Sequence, residues 1–315
     1  MTYRVPLPIG SHRPHLDIVD PSKTEILHFV RRQGLAAYEP PTAAAVMALC
    51  DVAGDGFVMY DIGSNVGLYA HLAAAVFVPR RVVAFEPAPH TAEMSRTIVH
   101  RNGLTVDVVE AAVGEVAGTA PLYFSPTSDA SHSLVEGFRQ ATGTTDVRVV
   151  TIDDHVAETA LVPSFMKIDV ETFELEVLRG ARRVLAEHRP PLIIEVLRRK
   201  GRDHGVELTE ELAGLGYHYY ALPAAPTWEA SPTIHGLGTT DRDWLLLPEP
   251  VTDGLVDAWS RWHARLGAIT VERNPRVPFL LTARAAFRRG GAGEVAASAR
   301  RYARSVTDRI RSNRG

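Results

Sequence analysis

The sequence predicts an α/β fold: a doubly wound, mostly parallel sheet with helical additions at its N- and C-terminal ends. Three observations carry that expectation. Between about residues 55 and 248, short apolar runs alternate with helical segments, the pattern of successive βαβ units. The first of these runs, FVMYDIGSNVGLYAHLAAAVF (57–77), passes from the strand formers Phe57, Val58 and Tyr60, through a polar glycine-rich join, into an alanine-rich helix from Leu68 to Ala75. The next strand, RVVAFEP, ends in an acid, Glu86, 23 residues after Gly63.

In chain order the expected strands are VMYDIG, RVVAFEP, VDVVEAAVG, PLYFS, VRVVTID, SFMKIDV and PLIIEVL, followed by HYYAL and DWLLLPE. The segment HTAEMSRTIVHRNG reads as a helix, with Gly103 suited to its C-terminal cap. ETFELEVLRGARRVLAEHRPP reads as one helix that aligns Leu175, Leu178 and Leu185 and stops at Pro190-Pro191. Asp153 is expected to cap a helix that carries His155, and VEGFRQATGTT to form a short helix inside a loop. Three regions result: a helical N-terminal segment (1–50, opening proline-rich), a central domain (51–248) and a helical, arginine-rich C-terminal extension (249–315). In the last, Trp259 and Trp262 share an amphipathic helix. Arginine dominates from Arg273 onward, against only Glu272, Glu294 and Asp308. Such a tail suits solvent, a partner subunit in a homodimer, or peripheral contact with an anionic surface.

Composition narrows the function. A chain of 315 residues, 45% hydrophobic and 23% charged, fits one large or two small globular domains. A formal net charge of -3 gives no case for nucleic-acid binding. The single cysteine, Cys50, excludes an intrachain disulfide, points to a reducing compartment and reads as a packing residue. No apolar run approaches the roughly 18 residues that span a bilayer. The opening MTYRVPLPIGSHRPH lacks the apolar centre of a signal peptide, so the expectation is cytoplasmic. Alanine and arginine usage is compatible with a GC-rich bacterial genome.

The join DIGSNVG places backbone amides and a helix N-terminus beside whatever binds there. Asp61, just before the glycines, would repel a pyrophosphate, and Gly63-Ser64-Asn65-Val66-Gly67 does not supply Gly-x-Gly-x-x-Gly. Both points weigh against a dinucleotide and an NAD-dependent oxidoreductase. Glu86 suits the two hydroxyls of an unphosphorylated ribose. Asp61 and Asn65 suit an amino acid joined to adenosine, which describes S-adenosylmethionine.

DIGSNVG with AFEP, AAVG, TID, KIDVE, EVLRGA and IIEV, in that order over roughly residues 57–200, resembles the FkbM family of S-adenosylmethionine-dependent methyltransferases. The resemblance implies a Rossmann-like class I methyltransferase fold. It also implies methyl transfer to a hydroxyl of a sugar, glycan or polyketide-type molecule. Carried onto this chain, Asp61, Gly63, Ser64, Asn65 and Gly67 form the cofactor loop, Glu86 with Pro87 faces the ribose, and Ala112 lies beside the adenine at the end of the third strand. Asp169 completes the cofactor set. The family usually has glycine after KIDVE, where this chain has Thr172.

A sugar hydroxyl needs a general base, or a metal that acidifies it. Asp169, Glu171 and Glu195 come to the carboxyl edge of the sheet, where ligands bind. They are candidates for base and acceptor, or for ligands of a divalent cation such as Mg²⁺. His132, in the polar loop SPTSDASHSLVEGF, is a further candidate base, with His235 behind it. Two alternatives remain beside O-methylation: N-methylation of an amino group, and an inactive methyltransferase-like adaptor in a biosynthetic assembly.

Overall fold

A computed structural model describes residues 2–8, 10–19, 24–125, 132–135, 142–197, 204–235 and 242–269. The arginine-rich stretch from Arg273 onward, with its expected anionic-surface contact, lies outside the described residues. So do residues 126–131 and 136–141, which hold most of the polar loop and of the short helix expected in it.

The elements run β1 (Thr2–Pro6), β2 (His15–Val19), α1 (Glu25–Gln33), α2 (Pro40–Ala53), β3 (Val58–Ile62), α3 (Leu68–Val76), β4 (Arg81–Phe85), α4 (Pro89–Asn102) and β5 (Val106–Val109). They continue through β6 (Ala112–Val113), β7 (Gly118–Tyr123), β8 (Thr144–Val150), α5 (Ile152–Thr159), β9 (Phe165–Ile168), α6 (Glu174–Arg179), α7 (Arg182–His188) and β10 (Leu192–Glu195). Last come α8 (His204–Glu211), β11 (His218–Ala221), β12 (Asp243–Leu247) and α9 (Asp253–Gly267).

Seven strands form the central sheet in the order β11-β12-β10-β9-β3-β4-β5. From β5 to β10 all neighbours are parallel, and β12 runs antiparallel to both β10 and β11. The fold is therefore the doubly wound, mostly parallel, Rossmann-like architecture expected. From β3 the chain winds outward through β4 and β5, then returns to lay β9 on the other side of β3. The strand order thus reverses between β3 and β9, and their carboxyl ends border the crevice where ligands of such sheets bind.

Both faces of the sheet are covered, which is why its strands read as near-continuous apolar runs. On one face Met59, Phe165, Ile193 and Leu245 pack with α2, α3 and α9. On the other, Tyr60, Ile168, Ile194 and Leu246 pack with Val177, Leu178, Val184 and Leu208 of α6 to α8. The terminal additions belong to the first layer together: Trp259 Nε1 donates to the Pro41 carbonyl (3.1 Å) and Trp262 Nε1 to Asp51 (3.0 Å). Cys50 is buried in this layer, as a packing residue should be.

Four local expectations need correction. The N-terminal fifty residues are not wholly helical: β1 and β2 form an antiparallel hairpin that buries Val5, Leu16 and Ile18, hidden in the sequence by its prolines. VDVVEAAVG divides, with β5 in the central sheet and β6 in a separate sheet ordered β6-β8-β7. Ala112 therefore sits in β6 rather than at the end of the third sheet strand. The helix after Glu174 breaks at Gly180, where a Cβ would stand 2.0 Å from the Gly114 carbonyl oxygen. Thr151, not Asp153, caps α5; Asp153 instead accepts from Arg183 N and Val184 N (both 2.9 Å) at the start of α7.

Candidate active site

The glycine-rich join connects β3 to α3 at the point of strand reversal. Gly63 (φ 75°), Asn65 (φ 51°) and Gly67 (φ 76°) all adopt left-handed backbone. Packing makes the glycines still harder to replace. A Cβ on Gly63 would lie 1.9 Å from the carbonyl oxygen of Asp169, and one on Gly67 2.6 Å from Ser95 Oγ.

The amides of this join are not bare, contrary to the sequence expectation. Gly63 N and Ser64 N donate to the Phe85 carbonyl, and Gly67 N donates to that of Ser64. Asn65 N donates to Glu86 Oε2 (2.8 Å) and Val66 N to the Asn65 side chain (2.8 Å). With its amides spent inside the protein, the loop makes no phosphate cradle.

Two carboxylates flank it. Asp61 is fully buried, and its Oδ2 accepts from Ala70 N (3.1 Å) in the first turn of α3. Its Oδ1 has no partner, and neither does the buried Ser64 hydroxyl. Burial pushes the Asp61 carboxyl up to about 6, with the Lys167 ammonium opposing. Glu86, 6% exposed, accepts from Asn65 N with one oxygen and from Ala88 N with the other (2.8 Å each). Burial raises it to about 7, held back by those amides. The helix after Glu86 starts at Pro89, so Pro87 belongs to the connecting turn, while Ala112 is buried in a small cluster with Ala88.

A second group gathers at the edge where β9 and β10 end and β12 begins. Lys167 faces Asp61 across β3 and β9, and its Nζ donates to Asp169 Oδ2 (2.9 Å) while lying 4.8 Å above the Tyr69 ring. Glu195 pairs in register with Asp243, hydrogen-bonds to Asp169 and receives Arg242 at 3.4 Å. Thr42 donates to Asp243, and Tyr69 donates to Glu39 (2.7 Å), the residue that precedes α2. Burial and the neighbouring Asp169 hold the Glu195 carboxyl well above its usual range. Glu39 is pushed to about 7 by burial, then by Asp243 and Asp169. Burial alone would raise Asp169, but the Lys167 ammonium outweighs it and lowers the carboxyl. Asp169 keeps 28% of its side-chain surface and Glu195 14%, so these groups line an opening rather than a sealed core.

The structure thus brings Asp61, Asp169 and Glu195 together and adds Glu39 and Asp243, which the sequence did not single out. Glu39 was readable as the residue before the Pro40-Pro41 helix start, Asp243 as the first residue of an expected strand. Nothing in either run marks them as neighbours. The metal set expected of Asp169, Glu171 and Glu195 is not assembled. Among the described residues no group of three or more His, Cys, Asp or Glu could hold a metal ion. Glu171 sits on a left-handed turn (φ 51°), near enough for its charge to help raise Glu195, and its carbonyl accepts from Ser133 Oγ at 2.9 Å. His132 packs edge-on against Phe124 and accepts from Ser125 N (3.2 Å). His155 packs against Tyr60 and Phe85, and His235 beside Trp244.

The chain is similar to several known proteins. "Hexuronic acid methyltransferase AglP" of Haloferax volcanii is 28% identical over 143 residues, 44% of this chain and 56% of that protein, so the chain spans about half the relative's length. The solved structure of methyltransferase FkbM from Methylobacillus flagellatus KT matches at TM-score 0.41 and 20% identity, over 61% of this chain and 44% of that one. Precorrin-6y C5,15-methyltransferase from Geobacter metallireducens GS-15 matches at TM-score 0.37 and 16% identity, over 65% and 85%. Residues 61–219 match the profile of the methyltransferase FkbM domain, an interval that opens at Asp61 and takes in Glu86, Asp169 and Glu195. The chain belongs to the methyltransferase FkbM family.

Proposed function

We propose that this enzyme methylates a hydroxyl group of an uncharged sugar, glycan or polyketide-type acceptor. When bound, S-adenosylmethionine supplies a methyl group on a positively charged sulfur. The observation that carries the reading is the pair Asp61 and Glu86 on either side of a join whose amides are already spent. Asp61 Oδ1 and Ser64 Oγ are buried without partners, so a ligand with an amino-acid end completes them. Glu86 takes one amide on each oxygen and a hydrogen bond from Thr91, which leaves acceptor capacity for a ribose hydroxyl. Asp169, ionised beside Lys167, suits the ligand's ammonium group. The tight contact of the two loops, with Gly63 against Asp169, fixes the spacing between these acids.

The acceptor hydroxyl must lose its proton as the new bond forms, and a base titrating near the working pH does this best. Glu39 meets that requirement at about 7, with Tyr69 donating to it and the carboxylates of Asp243 and Asp169 close by. His132, engaged by Ser125 N and Phe124, serves better as part of the loop bordering the acceptor. A hexuronic acid, the substrate class in the name of the Haloferax relative, would bring one more carboxylate to an edge holding Glu39, Glu195 and Asp243. An acceptor that donates hydrogen bonds fits that edge better.

The test is methyl transfer from labelled S-adenosylmethionine to matched neutral, amino and uronic glycosides, with S-adenosylhomocysteine titrated by calorimetry. The reading predicts S-adenosylhomocysteine binding that depends on Asp61 and Glu86, and O-methylation of the neutral glycoside. Preferred turnover of the uronic glycoside overturns the acceptor class.

A further inference from the structure

The turn that follows Asp169 is strained. Glu171 and Thr172 adopt φ 51° and φ 78° in succession, and threonine, branched at Cβ, tolerates the left-handed region poorly. Thr172 is also fully buried, and its hydroxyl has no hydrogen-bond partner. A residue so placed springs out unless its surroundings hold it.

The clamp is visible. Thr172 N donates to Glu174 Oε1 (3.0 Å), and Glu174 Oε2 lies 2.6 Å from His204 Nε2. Both side chains of the pair are fully buried. Glu174 opens α6 and His204 opens α8, so the pair ties the loop after β9 to the helix that follows β10. The Glu171 carbonyl takes Ser133 Oγ at 2.9 Å, which joins the segment after β7 to the same turn. Tight packing pins the start of α8 in place: a Cβ on Gly205 would stand 2.5 Å from the Ile234 carbonyl oxygen. Three segments bordering the crevice therefore meet at one turn.

We propose that Glu174, braced by His204, is a positioning residue: it locks the left-handed Glu171–Thr172 turn and so holds Asp169 at the crevice. The inference rests on the reading above that Asp169 serves the bound cofactor. A merely structural role, docking α8 onto α6, would make no use of the conformation at position 172. Glycine adopts φ 78° freely, so Thr172→Gly relieves the strain at position 172 and lessens the need for a clamp there, while leaving the docking of the helices in place.

The test compares wild type, Glu174→Ala, Thr172→Gly and the double variant by calorimetric titration with S-adenosylhomocysteine, which needs no acceptor. Amide hydrogen exchange over residues 169–174 is read alongside. Glu174→Ala should weaken S-adenosylhomocysteine at least fivefold and speed exchange at the turn. In the Thr172→Gly background the same change should cost less than twofold. Equal losses in both backgrounds, or no loss in either, overturn the proposal. If Glu174→Ala does not fold, His204→Gln is put through the same comparison with the same criterion. Failure of every hydroxylated acceptor to be methylated would contradict the proposed function and would not change this readout.

Discussion

Gly63 and Asp169 meet backbone against backbone: a side chain on Gly63 would begin 1.9 Å from the Asp169 carbonyl oxygen. The loop leaving β3 and the loop leaving β9 are thus spaced by the absence of a single carbon. Gly63→Ala must both leave a left-handed conformation and part the two loops, at a cost of roughly 1–3 kcal/mol for the backbone alone. Calorimetry should show S-adenosylhomocysteine binding weakened at least tenfold, with a lowered melting temperature.

Asp61→Ala and Glu86→Ala each remove one end of the proposed cofactor grip. Either should weaken S-adenosylhomocysteine at least tenfold, about 1.4 kcal/mol. Circular dichroism on the same samples separates this from unfolding, since Asp61 also anchors Ala70 N and Glu86 anchors Asn65 N and Ala88 N.

Proton release should accompany binding. Burial raises the Glu86 carboxyl from an ordinary 4.5 to about 7, so near neutral pH a large share of the free protein holds a proton there. Hydroxyls donated by a ribose favour the ionised form, so binding expels that proton and affinity rises as pH climbs through about 7. The stability of the free protein moves the other way. The raised carboxyl contributes most below its unfolded value of 4.5, and that contribution fades as pH rises toward about 7. Titrations in buffers of different ionisation enthalpy should show release in wild type and markedly less in Glu86→Gln.

Glu39→Gln keeps the shape of the side chain and removes the base. It should lower kcat by about 10²- to 10⁴-fold while leaving S-adenosylhomocysteine affinity within about twofold. A loss confined to KM would make Glu39 a binding group.

The α2–α9 layer is part of the folded core. Trp262, 3% exposed, packs on Phe77 at 5.1 Å between ring centroids and donates to Asp51. Trp262→Ala should cost about 3–5 kcal/mol in urea unfolding.

The sequence made the sheet legible because its strands are buried on both faces and read as unbroken apolar runs bounded by glycine or proline. It made the glycine join legible because Asp61, Gly63, Gly67 and Glu86 are local in sequence. The N-terminal hairpin was hidden by prolines that read as loop. The break at Gly180 depends on a contact with Gly114, 66 residues earlier, which helical periodicity cannot report. Glu39 and Asp243 stand 204 residues apart and are brought together by tertiary structure, through Thr42 at the start of α2 and the antiparallel β12. Conversely Thr172, odd in its sequence context, acquires a reason in its neighbours Glu174 and His204.

The most direct test of the account is transfer from S-adenosylmethionine carrying a ¹³C-methyl group, with the product read by carbon NMR. The account predicts a methoxyl carbon on a neutral hydroxylated acceptor. Label on nitrogen, or no transfer to any hydroxyl by protein that still binds S-adenosylhomocysteine, would contradict it.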